Sequence, residues 1–326
     1  MKKQVFVLLS IVLSLACFSA PKVENVIAKQ RFPWNGLVDI KCKVTGIERS
    51  RPYKFYIEAV QKDEGITNKV AQFWAQRNGI KQTNFKVKEN DDYHLIWDAK
   101  ADLGSIRCEN MIVCVGLEDG RDKVQLWEGG PYWATTNIGA ENPEDYGYYF
   151  WWGDTVGYKR ENNKWIASDG SNSDFSFSSG NTPTYNKSIS TLKNEGWITS
   201  DGVLAPVHDA AHIHWGNGWR MPTKQEIDDL INMCNWTWVR MSGSGVRGYI
   251  VSGKGDYSSA SIFLPSAGYC FGTLLDGADE CANYWASVPC SSLDSWTVSF
   301  DRTFCRTRGI LRHCGLAVRP LQEFAK

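Results

Sequence analysis

The sequence predicts a multidomain chain, an N-terminal all-β sandwich followed by a second domain of short strands built around one helix. Three observations predict it. Alternating segments recur through the first third, aromatic and glycine residues crowd the remainder, and 326 residues exceed the ~100 to 200 of one domain. Hydrophobic residues at 43% and charged residues at 22% supply material for real cores and exclude the composition of a disordered chain. The 36 basic residues balance 36 acidic ones, which leaves no electrostatic footprint for nucleic acid.

Residues 1–20, MKKQVFVLLSIVLSLACFSA, read as a signal peptide, with Lys2 and Lys3 ahead of an uncharged apolar run over 5–16. The run is shorter than the ~20 residues that span a bilayer, so the protein is expected to be secreted or held in the cell envelope. Ser14-Leu15-Ala16-Cys17 is similar to a bacterial lipobox, with Ser where Leu is usual. A lipid on Cys17 would make the chain a lipoprotein and would be its only membrane attachment.

Residues 21–126 are assigned to an immunoglobulin-like β-sandwich. From Leu37 to Thr45, Val38, Ile40, Cys42 and Val44 alternate with Asp39, Lys41 and Lys43, the pattern of a half-buried strand. Strand-like runs follow at 54–60, 84–88, 93–97 and 111–117, and 66–76 reads as a short helix. Eleven of fifteen Trp and twenty of 29 Gly lie from residue 131 onward, which marks 118–130 as the linker. The second domain, 127–326, contains a Ser-, Asn- and Gly-rich stretch over 168–181 that suits a surface loop. One helix is clear. Ile227, Leu230, Ile231 and Cys234 recur at helical spacing, and Thr223 with Glu226 three residues later forms a capping box. Residues 248–320 read as short strands joined by turns.

Ten cysteines in an exported chain suggest disulfides. Without Cys17, three lie early (Cys42, Cys108, Cys114) and six late (Cys234, Cys270, Cys281, Cys290, Cys305, Cys314), and the pairing is open. No CxxC pair is present, which argues against a zinc knuckle or a thioredoxin-like site.

WGNGWRMPTKQEIDDL (215–230), YWATTNIGA (132–140), DYGYYFWWGD (145–154), SIFLPSAGY (261–269), YWASVP (284–289) and GLAVRPL (315–321) together resemble the Fibrobacter succinogenes major paralogous domain. That family is similar in turn to the formylglycine-generating sulfatase-modifying proteins and to the variable proteins of diversity-generating retroelements. The resemblance implies a C-type-lectin-like α+β fold whose termini meet in one sheet, with an irregular ligand-facing surface. Trp215, Trp219, Arg220 and Arg319 in these blocks read as framework. KVENVIAKQRFPWNGLVDIKCKVTG similarly resembles the sandwich that precedes such modules in exported bacterial proteins.

Four chemistries compete for the second domain. His208, Asp209, His212 and His214 offer zinc-type ligands, yet His214 would leave the face shared by His208 and His212 on a helix, so a framework role is preferred. The acidic stretches 141–145 and 276–280 leave room for a structural calcium, while the sugar-binding signatures of C-type lectins are missing. An oxidase of the formylglycine-generating type would need two thiolates close enough to bind copper(I), and the nearest late pair, Cys305 and Cys314, lacks that family's spacing and its Arg-Tyr-Arg run. The fourth is recognition. The segment CSSLDSWTVSFDRTFCRTRGILRHC places Asp294, Trp296, Arg302, Phe304, Arg306, Arg308, Arg312 and His313 in a strand-and-turn context, and Arg and aromatic side chains dominate interface energies. Alternation sends some of the aromatics inward and leaves Arg302, Arg306 and Arg308 as the better exposed residues. The expected function is therefore non-catalytic binding of a surface protein or glycan, without catalytic residues, cofactor or metal. A purely structural envelope component is the remaining alternative.

Overall fold

The computed structural model describes residues 21–323, except 33–34, 48–51, 63, 78, 84, 105–109, 163, 172–174 and 217. The signal-peptide reading, Cys17 and Cys108 lie outside the described residues. Strands dominate the chain, which divides into two compact units, Met1–Arg121 and Asp122–Lys326. Among the described residues no helix is long and apolar enough to cross a membrane.

The first unit holds β1 (Lys22–Gln30), β2 (Leu37–Thr45), β3 (Tyr53–Gln61), β4 (Ile66–Lys69), β5 (Phe73–Arg77), β6 (Ile80–Gln82), β7 (Asp91–Asp98), the short helix α1 (Ala99–Leu103) and β8 (Met111–Asp119). They form one sheet in the order β1-β2-β7-β5-β6 and a second in the order β4-β3-β8. Alternation drives both, because successive side chains on a strand point to opposite faces. Ile40, Cys42 and Val44 of β2 meet Phe55, Ile57 and Ala59 of β3 in a single buried cluster, so the two sheets share one core. The helix expected over 66–76 is instead two strands, with a turn at Ala71 and Gln72 whose N–H groups donate to Asp102 Oδ2 at 3.0 and 3.1 Å. Of the described residues in the run expected over 84–88, Val87 alone pairs, as a bridge to Tyr53.

The second unit begins earlier than the composition change suggests, since β9 (Lys123–Gln125) already pairs with β10 (Tyr132–Ala134). Next come β11 (Tyr149–Phe150), β12 (Tyr158–Glu161), β13 (Lys164–Ala167), α2 (Ile189–Asn194), α3 (Ala210–Trp215), β14 (Trp219–Arg220) and α4 (Lys224–Met233). The meander β15 (Asn235–Arg240), β16 (Arg247–Ser252) and β17 (Ser261–Pro265) forms its own three-stranded sheet. The chain then runs through β18 (Ala267–Phe271), β19 (Leu274–Ala278), β20 (Cys281–Pro289), β21 (Asp294–Asp301), β22 (Cys305–Leu311), β23 (Leu316–Ala317) and β24 (Leu321–Gln322). A nine-stranded sheet is centred on β20, and β24 lies between β10 and β14, so the last strand of the unit closes on one of its first.

Two arginines brace this unit, Arg319 from the interior and Arg220 from a partly exposed position. Arg319 donates to Asn137 Oδ1 (2.8 Å), the Ala134 carbonyl (3.0 Å) and the Phe263 carbonyl (2.9 Å), tying three distant segments together. Arg220 grips Glu226 through two hydrogen bonds of 2.8 and 2.6 Å. Burial works against the charge on Glu226, and Arg220 outweighs it, holding the carboxyl below its ordinary value. The same carboxylate accepts from Thr223 N–H, completing the capping box that starts α4. Trp215 and Trp219 pack edge to face with centroids 5.0 Å apart, and Trp219 is fully buried.

The stretch 168–181, expected as a surface loop, carries Phe177 into the core and stacks Phe175 on Tyr158 at 3.7 Å between centroids. The expected disulfides are also corrected. Cys42, Cys114, Cys234, Cys270, Cys281, Cys290, Cys305 and Cys314 are all free, and Cys42, Cys234, Cys270 and Cys314 are buried as small apolar side chains.

Candidate functional site

The β21–β22 hairpin is the best-defined candidate surface. Among the described residues its outer strand, β22, pairs only with β21 and so forms an edge of the large sheet. The register sets which side chains reach solvent. Cys305 and Thr307 stand opposite Phe300 and Val298, on the face that carries these two buried residues, while Arg306 and Arg308 stand opposite Ser299 and Thr297. Ser299 and Thr297 are buried in the inner strand, whereas Arg306 and Arg308 on the edge strand are exposed.

The tip of the hairpin is tightly built. Asp301 Oδ1 accepts from Thr303 N–H (2.6 Å), Thr303 Oγ1 (2.7 Å) and Phe304 N–H (3.1 Å). These donors hold the Asp301 carboxyl below its ordinary value, the Thr303 side chain contributing most. Arg302 and Arg306 are exposed beside this turn, and the Arg306 guanidinium lies 5.0 Å from the centre of the half-buried Phe304 ring. Among the described residues Arg302, Arg306 and Arg308 have no ion-pair partner.

Helix α4 braces the hairpin from one side. Thr307 Oγ1 donates to Asp228 Oδ1 at 3.0 Å, and the Lys224 ammonium sits 4.9 Å from the Trp296 ring centre. Sequence reasoning missed Asp228, Lys224 and Thr307 because the contacts join segments some eighty positions apart, beyond any local periodicity.

Two of the expected surface residues are not on the surface. Arg312 is completely buried at the base of the hairpin. Its guanidinium donates to the carbonyls of Thr184 (2.8 Å), Lys187 (3.1 Å), Asp294 (3.3 Å) and Ser291 and to Ser295 Oγ (3.1 Å), and it lies over the Trp152 ring. Burial pulls its pKa down to about 10, still high enough to keep it charged at neutral pH. His313 is also buried, edge-on to Tyr185 with centroids 4.9 Å apart, and burial lowers its pKa. Asp294 is half-buried and serves the preceding turn, accepting from Ser291 Oγ at 3.1 Å. Trp296 is half-buried against the core.

The competing chemistries can be placed as well. His208 stacks on Trp197 (centroids 4.0 Å apart), His214 Nε2 lies 3.0 Å from the Thr155 carbonyl, and Asp209 spends its carboxylate on the N–H groups of Ala211, His212 and Met221. In the acidic stretches, Asp145 caps Glu141 and Asn142, and Asp276 accepts from the Tyr269 hydroxyl at 2.8 Å. Among the described residues no group of three such side chains converges as a metal site. Cys305 begins β22, and six strand steps of ~3.3 Å carry Leu311 about 20 Å away before the turn to Cys314. The pair is therefore spread along the hairpin instead of converging, and burial pushes the thiols up to about 12 and about 11.

Comparison of the chain with protein-family models, curated proteins and solved structures finds no match.

Proposed function

We propose that this is an exported, non-catalytic binding protein whose second unit is a C-type-lectin-like domain, presenting the β21–β22 edge to a surface protein or glycan. The observation that carries the proposal is the set of three exposed, unpaired arginines, Arg302, Arg306 and Arg308, on a hairpin fixed at its tip by Asp301 and at its base by Arg312. A backbone that is already fixed loses less freedom on binding than a mobile loop would. The meeting of β10 and β24 in one sheet supports the lectin-like reading, as does the framework role of Trp219 and Arg319. In the first unit, the run β1-β2-β7-β5, which continues to β6, and the order β4-β3-β8 support the immunoglobulin-like reading through their likeness to A-B-E-D and C′-C-F. Export rests on Lys2, Lys3 and the apolar run, and a lipid on Cys17 would add envelope attachment.

Charged residues on an edge strand also discourage sheet-to-sheet pairing. Capture separates the two roles. The full chain and its Arg302→Ala/Arg306→Ala/Arg308→Ala variant are applied to an array of glycans and bacterial surface proteins. Saturable capture by the wild type that falls in the variant supports recognition. Capture that is equal in both, or lost only in Cys305→Ser and Cys314→Ser variants, refutes it.

A further inference from the structure

The exposed face of the five-stranded sheet in the first unit carries a second site, independent of the hairpin. Lys29, Arg31, Asp39, Lys41, Gln76, Gly79 and His94 line an open hollow of about 640 Å³, a volume in the range of small-molecule sites, ~300 to 1,000 Å³. Strand register assembles it. Lys29 stands directly opposite Asp39 across β1 and β2, Lys41 opposite His94 across β2 and β7, and the Ala75–Leu95 pairing brings Gln76 alongside His94.

The single carboxylate in the hollow is already spoken for. Arg31 donates to both oxygens of Asp39 at 2.8 Å, and His94 Nε2 lies 2.6 Å from Oδ1. Arg31 holds the Asp39 carboxyl below its ordinary value. Lys29 would normally pair with the acid facing it across the strands, yet among the described residues neither it nor Lys41 makes an ion pair. Two exposed ammonium groups thus flank a hollow whose only acid is saturated. Leaving His94 aside, the lining carries a net charge of +2, from Lys29, Arg31 and Lys41 against Asp39.

We infer that this hollow binds an acidic sugar through its carboxylate or sulfate. The two lysines supply the charge complement, while Gln76, whose Oε1 accepts from Arg31 at 3.4 Å, has its amide N–H groups to offer to the neighbouring hydroxyls. The charged and polar groups are spread over four adjacent strands, β1, β2, β7 and β5, a span wider than a bare ion covers.

Isothermal titration of the full chain tests the inference with trigalacturonate, its fully methyl-esterified form, a sulfated carrageenan disaccharide and inorganic phosphate. Trigalacturonate or the sulfated disaccharide is expected to bind saturably and to weaken as salt rises. Which of the two binds identifies the oxyanion. The Lys29→Gln/Lys41→Gln variant should lose about tenfold in affinity, the scale of two exposed charge contacts, with an unchanged melt, and Lys29→Arg/Lys41→Arg should restore binding. Equal binding of the neutral ester, phosphate binding as tight as the sugar, an unaffected glutamine variant, or silence from both acidic sugars would each overturn it.

Discussion

Replacing Arg312 with Met removes the guanidinium and keeps most of the apolar stem, so the loss isolates its hydrogen bonds. Among the described residues, the carbonyls of Thr184, Lys187 and Ser291 have this side chain as their only hydrogen-bond partner. The Thr184 carbonyl is buried and those of Lys187 and Ser291 are partly so; an acceptor left without a donor costs ~1 to 3 kcal/mol, least where water reaches it, and the sum is reduced because the guanidinium no longer has to be desolvated. A net loss of about 4 kcal/mol follows, in line with the ~3 to 5 kcal/mol for breaking a buried charged network. For a unit of this size each kcal/mol shifts the melting temperature by ~2 to 4 °C, so the drop should be on the order of 10 °C. Near-ultraviolet circular dichroism, which reports the packed tryptophans, is the assay. A melt within about 2 °C of wild type would refute the assignment of Arg312 as the base of the hairpin and return it to the binding surface.

Other perturbations probe the rest of the framework. Trp219→Ala should cost ~3 to 5 kcal/mol in thermal or denaturant unfolding, because the fully buried indole leaves a large cavity, and an unchanged midpoint would show that the ring is not core. Burial raises the Asp154 carboxyl to about 7, and its Oδ2 has no partner among the described residues. The folded state therefore binds this proton more tightly than the unfolded state, and its contribution to stability is lost as pH rises from about 4 to about 7. Asp154→Asn should flatten that part of the stability profile by on the order of 4 kcal/mol, and an unchanged slope would place the carboxylate in contact with solvent. Alkylation in denaturant without reductant, followed by peptide mapping, should modify all eight described cysteines, whereas a disulfide-linked peptide among them would contradict the free thiols.

Local chemistry was readable where partners lie close in sequence. The strict period of two locates β2, and the Thr223–Glu226 box starts α4 within a few residues of its own partners. In β1 the period is broken by a bulge between Glu24 and Ile27, where Asn25 takes φ +54°, so the alternation changes phase midway and the strand is hidden. The segment 66–76 looked helical because the turn that splits it is held by Asp102, some thirty residues away. The candidate surface divides in the same way. Arg302, Arg306 and Arg308 follow from a short hairpin pattern, but Arg312 is drawn inward by carbonyls about 125 positions earlier, which no reading of its neighbours could supply.

The most direct test of the recognition account is a titration of the captured array ligand against wild type and the Arg302→Ala/Arg306→Ala/Arg308→Ala variant, with melts recorded on the same samples. The account predicts coincident melts and an affinity reduced at least ~5-fold, equivalent to the ~1 kcal/mol that marks a significant interface residue. Coincident melts with undiminished affinity would contradict it, and the arginines would then be only the guards of an exposed sheet edge.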